Sequence, residues 1–149
     1  MEIKIKKLNE EARTPTYSHE CDAGADLYSA TDLILPKGAV ATVPTGICME
    51  IPKGYVGYIN PRSGLAAKYG ITVLNAPGTI DAGYTGEIKV ILSNHTDKDY
   101  QILKDDRIAQ MVFQQIEYAK FIKVDDLDAT ERGNGGFGST GVGNGGLWE

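Results

Sequence analysis

A chain of 149 residues with 42% hydrophobic content has enough apolar material for one domain with its own core. Its formal net charge of −5 argues against a nucleic-acid polymer as partner, because binding a phosphate backbone calls for a basic surface. No apolar run reaches the length of a membrane span and Met1-Glu2-Ile3-Lys4-Ile5 lacks a signal-peptide core, so the expectation is a cytoplasmic protein without a membrane partner.

The predicted elements are mostly strands. Ile3 and Ile5 alternate with Lys4 and Lys6, Val40 to Ile51 is β-rich, and Ile71 to Leu74 is short and apolar. Ile88, Val90 and Leu92 share one face opposite Lys89, with Ile91 breaking the alternation. Turn signals recur at Pro36-Lys37-Gly38, Pro52-Lys53-Gly54, Pro77-Gly78 and Lys104-Asp105-Asp106, a spacing that favours a sandwich, a jelly roll or a small barrel. One helix is predicted, Ser63 to Tyr69, with Ser63 as its N-cap. Cys21 and Cys48 are too few for a disulfide framework and lack metal-ligand spacing, so both are expected as reduced, partly buried thiols.

Several residues carry chemistry beyond the fold. Arg62 and Ser63 stand at the start of the predicted helix, where unpaired N–H groups and the positive dipole end attract anions; an ordinary helix start beside a solvated arginine fits equally. Asp81 follows Ile80 in a stretch bracketed by Gly78, Gly83 and Gly86, and a carboxylate projecting from a strand end is a competent general base. A turn Asp bonding its own backbone has the same spacing. Asp26 presents a hard carboxylate of the kind that serves Mg²⁺, which keeps several waters and takes one or two carboxylates plus substrate phosphates; a turn Asp at a strand start reads the same way.

The run Arg132-Gly133-Asn134-Gly135-Gly136-Phe137-Gly138-Ser139-Thr140-Gly141 cannot build a core. It sets one guanidinium fork, one aromatic face and two hydroxyls on a nearly bare backbone, a set suited to phosphate and a stacked base. It reads as a flexible lid for a nucleoside polyphosphate, or else as a passive glycine-rich tail. Gly143-Asn144-Gly145-Gly146-Leu147-Trp148 echoes it.

In order along the chain stand Asp22-Ala23-Gly24-Ala25-Asp26-Leu27, Pro61-Arg62-Ser63-Gly64-Leu65-Ala66, Gly78-Thr79-Ile80-Asp81-Ala82-Gly83-Tyr84-Thr85-Gly86-Glu87, Asp106-Arg107-Ile108-Ala109-Gln110-Met111 and the glycine tail. Together they resemble the five motifs of the trimeric deoxyuridine triphosphatase (dUTPase) family, from roughly Ile3 to Gly141. One position departs: a glycine normally precedes the Asp-Arg pair, and Asp105 stands there. Aspartate is among the better non-glycine residues for left-handed backbone.

The resemblance implies an all-β, jelly-roll-like or distorted β-barrel single domain with one short helix: residues 1–130 the β domain, residues 131–149 a flexible C-terminal arm. It implies hydrolysis of dUTP to dUMP and pyrophosphate by water attack at the α-phosphorus, which limits uracil incorporation into DNA and supplies dUMP. Asp81 is the implied catalytic base, and Asp26 holds Mg²⁺ through water. Arg62, Ser63, Gly64 and Gln110 are implied phosphate ligands. A hairpin from Asn75 to Tyr84 is expected to select base and sugar: backbone at Gly78, Thr79 and Ile80 arbitrates the uracil edge and Tyr84 packs beneath the deoxyribose, with Lys89 nearby. Arg132, Phe137, Gly138, Ser139 and Thr140 close over the nucleotide. Asp106 and Arg107 read as a structural ion pair as readily as a ligand contact. The implied assembly is a homotrimer with sites shared between subunits. Two other readings remain, a regulatory protein that uses this scaffold with nucleotide as a switch and a dCTP deaminase relative. The second would need extra groups for attack on the base.

Overall fold

Two Pro-Lys-Gly turns lead into interior strands of the two larger sheets. In the computed structural model, which describes residues 1–136, Ala39 N–H closes on Pro36 O at 3.0 Å and Tyr55 N–H on Pro52 O at 3.1 Å. The third residue of each turn, Gly38 (φ 68°) and Gly54 (φ 89°), takes a left-handed conformation that a side chain would resist. The turns deliver the chain into β4 (Val40–Glu50) and β5 (Tyr55–Asn60).

The unit Met1–Tyr118 holds these and the other strands of the described residues: β1 (Lys4–Lys7), β2 (Ala25–Tyr28), β3 (Leu33–Leu35), β6 (Ile71–Val73), β7 (Gly78–Asp81), β8 (Glu87–Asn94), β9 (Tyr100–Ile102) and β10 (Arg107–Gln115). They form two four-stranded sheets, β1-β4-β8-β6 and β2-β10-β5-β7, and a pair β3-β9, all antiparallel. Val43, Ile47, Ile88, Val90 and Leu92 of the first sheet join Leu27, Ile59 and Met111 of the second in one buried cluster. Each sheet keeps two open edges, so the all-β, jelly-roll-type layering expected from the sequence is present without closure into a barrel.

The helix α1 (Ser63–Tyr69) has the expected bounds but not the expected cap. Arg62, in extended conformation, is the N-cap, and Ser63 is already the first helical residue, with no side-chain cap bond. Gly70 ends the helix at φ 59°, its N–H bonding Ala66 O at 3.1 Å. The segment 75–84 is likewise not a hairpin. β6 pairs with β8 and β7 with β5, so the chain crosses from one sheet to the other there. Cys21 is exposed rather than partly buried, whereas Cys48 is half-buried, and both thiols are free.

The second unit starts at Ala119. Over 119–136 it has neither helix nor strand, and Phe121 and Leu127 are almost fully exposed, at 94% and 88%. Arg132 Nε–H folds back to Gly135 O at 2.9 Å. Phe137, Gly138, Ser139 and Thr140, with the echo segment after them, lie outside the described residues.

Asp105 adopts φ 71°, so the backbone keeps the left-handed turn that a glycine serves. Its N–H bonds Ser29 O at 2.9 Å, and Asp106 Oδ2 accepts from Leu103 N–H at 2.8 Å, which holds the turn from both ends. A Cβ in this region costs roughly 1–2 kcal/mol, partly offset in Asp. Asp105→Gly should therefore raise the thermal midpoint by the equivalent of about 0.5–1 kcal/mol, after the extra unfolded-state entropy of glycine is subtracted, and Asp105→Val should lower it. Thermal unfolding followed by circular dichroism checks both directions.

Candidate active site

The register of β10 brings distant parts of the sequence into line. Gln110 pairs with Asp26 on β2 and with Asn60 on β5, so three polar side chains share one row across three strands. Arg62 and Ser63 follow directly from the end of β5. The result is a polar cavity of about 570 Å³, lined by Asp26, Asn60, Arg62, Ser63, Gly64, Arg107 and Gln110, and also by Ser18, His19, Asp22 and Gly24.

Asp26 is the electrostatic centre of this cavity. Its side chain is 9% exposed, and burial of a carboxylate demands compensation. Arg62 Nε–H donates to Oδ1 at 2.8 Å, and Arg107 Nη1 and the Ser18 hydroxyl reach Oδ2 at 3.4 Å and 3.2 Å. Arg62 Nη1 also donates to Arg107 O at 3.3 Å. Asp106 turns away to bond Leu103 N–H, so the adjacent Asp106 and Arg107 are not paired with each other.

Backbone donors complete the rim. The first intrahelical bond of α1 runs from Ala66 N–H to Arg62 O, which leaves the N–H groups of Ser63, Gly64 and Leu65 without helical partners. A Cβ on Gly64 would meet no atom, so its bare backbone faces open space. Gln110 Nε2–H bonds Pro61 O at 2.9 Å. Behind the arginines, Tyr100 stacks obliquely on Tyr69 at 5.3 Å. Burial, helped by Asp106 and Tyr69, pushes its phenol above the usual range and keeps it neutral.

The remaining candidates gather elsewhere. Asn75, Thr79, Ile80, Asp81, Tyr84 and Lys89 line a second cavity of about 290 Å³ together with Glu87. Tyr84 O–H donates to Glu87 O at 2.9 Å, and its ring lies across Gly86, where a Cβ would come within 2.6 Å of the hydroxyl oxygen. Glu87 is itself held by Gly46 N–H at 3.0 Å, offered by a bulge in β4 where Gly46 takes φ 70°, and it pairs with Lys89 at 3.5 Å. Gly78 is buried, and a Cβ there would crowd Ile59 at 3.3 Å and the Asn75 amide at 3.2 Å. Asp81 ends β7, exposed; its backbone O accepts from Tyr84 N–H at 3.0 Å, and its carboxylate has no hydrogen bond or ion pair among the described residues. That sets aside the reading of a carboxylate spent on its own turn.

The two cavities share no lining residue. Asp81 stands opposite Val56, and Gln110 opposite Asn60. Two strand spacings across and four residues along put their Cα atoms roughly 16 Å apart. Asp26, one strand further, is roughly 20 Å away.

The family model described as dUTPase matches residues 10–141. The chain belongs to the dUTPase family. It is 53% identical over 141 residues to the deoxyuridine 5'-triphosphate nucleotidohydrolase of Thermobifida fusca, covering 93% of this chain and 78% of that protein. It is likewise 53% identical to that of Nautilia profundicola, covering 95% and 99%. Among solved structures, a variant dUTPase of Staphylococcus bacteriophage 80alpha with dUpNHpp superposes with a TM-score of 0.88 at 31% identity, covering 95% of this chain and 99% of that one. A dUTPase from phage phi11 of S. aureus, described with a coordinated structural Mg(II) ion, has a TM-score of 0.79 at 28% identity, over 85% and 99%.

Arg107, which the sequence leaves open between ion pair and ligand, borders the first cavity, and so do Ser18, His19, Asp22, Gly24 and Asn60, which the sequence does not mark as ligands. Only Gly24 carries a local reason. A Cβ built there would sit 2.2 Å from Gln110 Oε1, so the glycine makes room for the Gln110 side chain. Gly24→Ala should destabilise the fold by about 1–3 kcal/mol. In a Gln110→Ala background, where only the Cβ at position 110 remains, 3.1 Å away, the same change should cost clearly less; the coupling energy from a double-mutant cycle in urea is the measurement.

Proposed function

We propose that this dUTPase-family chain hydrolyses dUTP to dUMP and pyrophosphate in a site built from both cavities, each supplied by a different copy of the chain. The separation of Asp81 from the Asp26–Gln110 row carries this reading. Water attack at phosphorus requires the base and the phosphate ligands around one small group, within hydrogen-bond reach of it. A gap of roughly 16 Å between Asp81 and Gln110 within one chain is too wide, and a second copy removes it. The implied homotrimer satisfies that requirement, and the exposed Phe121, Ile122 and Leu127 give the segment after Ala119 apolar surface to bury on another copy.

The roles follow from the chemistry of each group. Arg62, the Ser63 and Gly64 N–H groups and Gln110 hold phosphate oxygens and absorb the charge that builds as the α-phosphorus to bridging-oxygen bond breaks. Asp81 accepts the proton of the attacking water, whose oxygen forms the new bond to the α-phosphorus while pyrophosphate departs. The donor set beside Asp26 fits a hard cation: one carboxylate, an open polar cavity and room for phosphate oxygens. Mg²⁺ held there through water would neutralise phosphate charge. Backbone groups at Gly78, Thr79 and Ile80, with the Asn75 amide, read the uracil edge, and Tyr84, fixed by Glu87 and Gly86, lies beneath the sugar with Lys89 beside it. Arg132 and the segment Phe137 to Thr140, in the arm 131–149, close over the nucleotide.

Asp81→Asn keeps the volume and removes proton acceptance, so turnover should fall by about 10²–10⁴ while dUTP binding survives. Mixing this variant with Gln110→Ala, after dissociation and reassembly, should restore up to about a quarter of the parental activity, because random assembly pairs one intact half-site with the other that often. No recovery from two folded, inactive variants would contradict shared sites. A third measurement concerns the sugar: the parent should prefer dUTP over UTP by at least about 10² in kcat/KM, and Tyr84→Ala should narrow that ratio.

A further inference from the structure

Both oxygens of the Asp26 carboxylate are engaged in the free chain. Arg62 holds Oδ1 and Arg107, with Ser18, holds Oδ2, so two guanidiniums surround one buried carboxylate and leave this trio with a net positive charge. A hydrated divalent cation approaching Asp26 alone would meet a carboxylate with three of its roughly four acceptor sites taken, two of them by guanidiniums, and enter their positive field. The Asp22 carboxylate on the same cavity offsets only part of that repulsion, because it pairs with neither guanidinium. Asp22, the other carboxylate on the cavity, already accepts from His19 N–H at 2.8 Å, and among the described residues no three His, Cys, Asp or Glu side chains group to hold a metal.

The two arginines are not equivalent. Arg62 is the better anchored, with a short Nε–H bond to Asp26 and a second bond to Arg107 O. Arg107 reaches Asp26 through one longer contact at 3.4 Å, and its side chain is 49% exposed, so it is the half that swings away at least cost. A polyphosphate offers both guanidiniums planar, bidentate, doubly charged partners that outcompete a single carboxylate.

We propose that Arg107 is a positioning residue that keeps Asp26 closed to a divalent cation until a polyphosphate draws the guanidiniums away. The cation then enters with the nucleotide and not before it, and Asp26 turns from an ion-pair acceptor into an acceptor for metal-bound water. The inference rests on the reading of Asp26 as the residue that faces the hydrated cation.

Mn²⁺, counted by electron paramagnetic resonance, tests it on the full-length protein. Arg107→Gln should tighten binding of Mn²⁺ alone by about tenfold over the parent, as expected for removing one nearby like charge from a half-buried site. Adding Asp26→Asn to that variant should abolish the gain. In parallel, Asp26→Asn should weaken Mn²⁺ uptake by the complex with a non-hydrolysable dUTP analogue. No weakening there overturns the metal reading of Asp26 and the inference with it. Weakening there, with Arg107→Gln binding free Mn²⁺ no better than the parent, overturns the inference alone. Should Arg107→Gln fail to fold, nitrogen-15 NMR of the parent decides. The Arg62 Nε–H signal should be protected from solvent exchange in the free chain, unaffected by Mg²⁺ alone, and shifted when nucleotide analogue and Mg²⁺ are added together. A signal that moves with Mg²⁺ alone also overturns the inference.

Discussion

The register of β10 between β2 and β5 is the constraint on which the rest of this molecule depends. Met111 faces the core and its neighbour Gln110 faces outward, between Asp26 and Asn60. A slip of one residue would turn Gln110 into the core and Met111 into the cavity, so the same apolar burial that stabilises the sheet also sets the position of the polar row. The irregularity in β10 between Arg107 and Ala109 adds to this. It marks where Arg107 leaves the regular ladder, with its guanidinium directed at Asp26.

Backbone exceptions do comparable work elsewhere. The bulge at Gly46 turns an N–H toward Glu87, and Glu87 in turn fixes Tyr84 and Lys89 on the wall of the second cavity. The left-handed turn at Asp105 closes on Ser29 and launches β10, so an aspartate in place of a glycine is carried by hydrogen bonds at both ends of that turn. In each case local strain or a lost ladder bond is exchanged for the placement of a side chain that regular geometry would have aimed differently.

The division of the candidate residues between two cavities follows from topology. β7 is the edge strand of one sheet while β8 lies inside the other, so the crossover that carries Asp81 and Tyr84 emerges on a different part of the surface from Asp26 and Gln110. On the reading proposed above, the phosphate ligands and the base and sugar ligands stand on separate faces, and a second copy of the chain is what would bring them together.

Much of this was legible in the chain itself. Ile88, Val90 and Leu92 fall on one face because that face of β8 is buried, with Lys89 and the half-buried Ile91 on the other, and the Pro-Lys-Gly triplets carry their own turn geometry. The helix has the bounds expected from the sequence, and Gly70 supplies its left-handed stop, but the cap is Arg62 and not Ser63, because extended backbone rather than a capping side chain begins it. β2 was invisible to periodicity, since Ala25, Asp26, Leu27 and Tyr28 are all buried and no alternation survives. The order of motifs identified the family and nominated Asp26, Arg62, Asp81 and Gln110. What only the tertiary structure decided was which of them meet. Asp26 and Arg107, 81 positions apart, touch because β2 and β10 pair, while Asp81 and Gln110, closer in sequence, stand apart because their strands flank β5 at different levels. Sequence separation carries no information on such contacts, because strand pairing is set by burial of whole faces and not by the residues that end up beside one another.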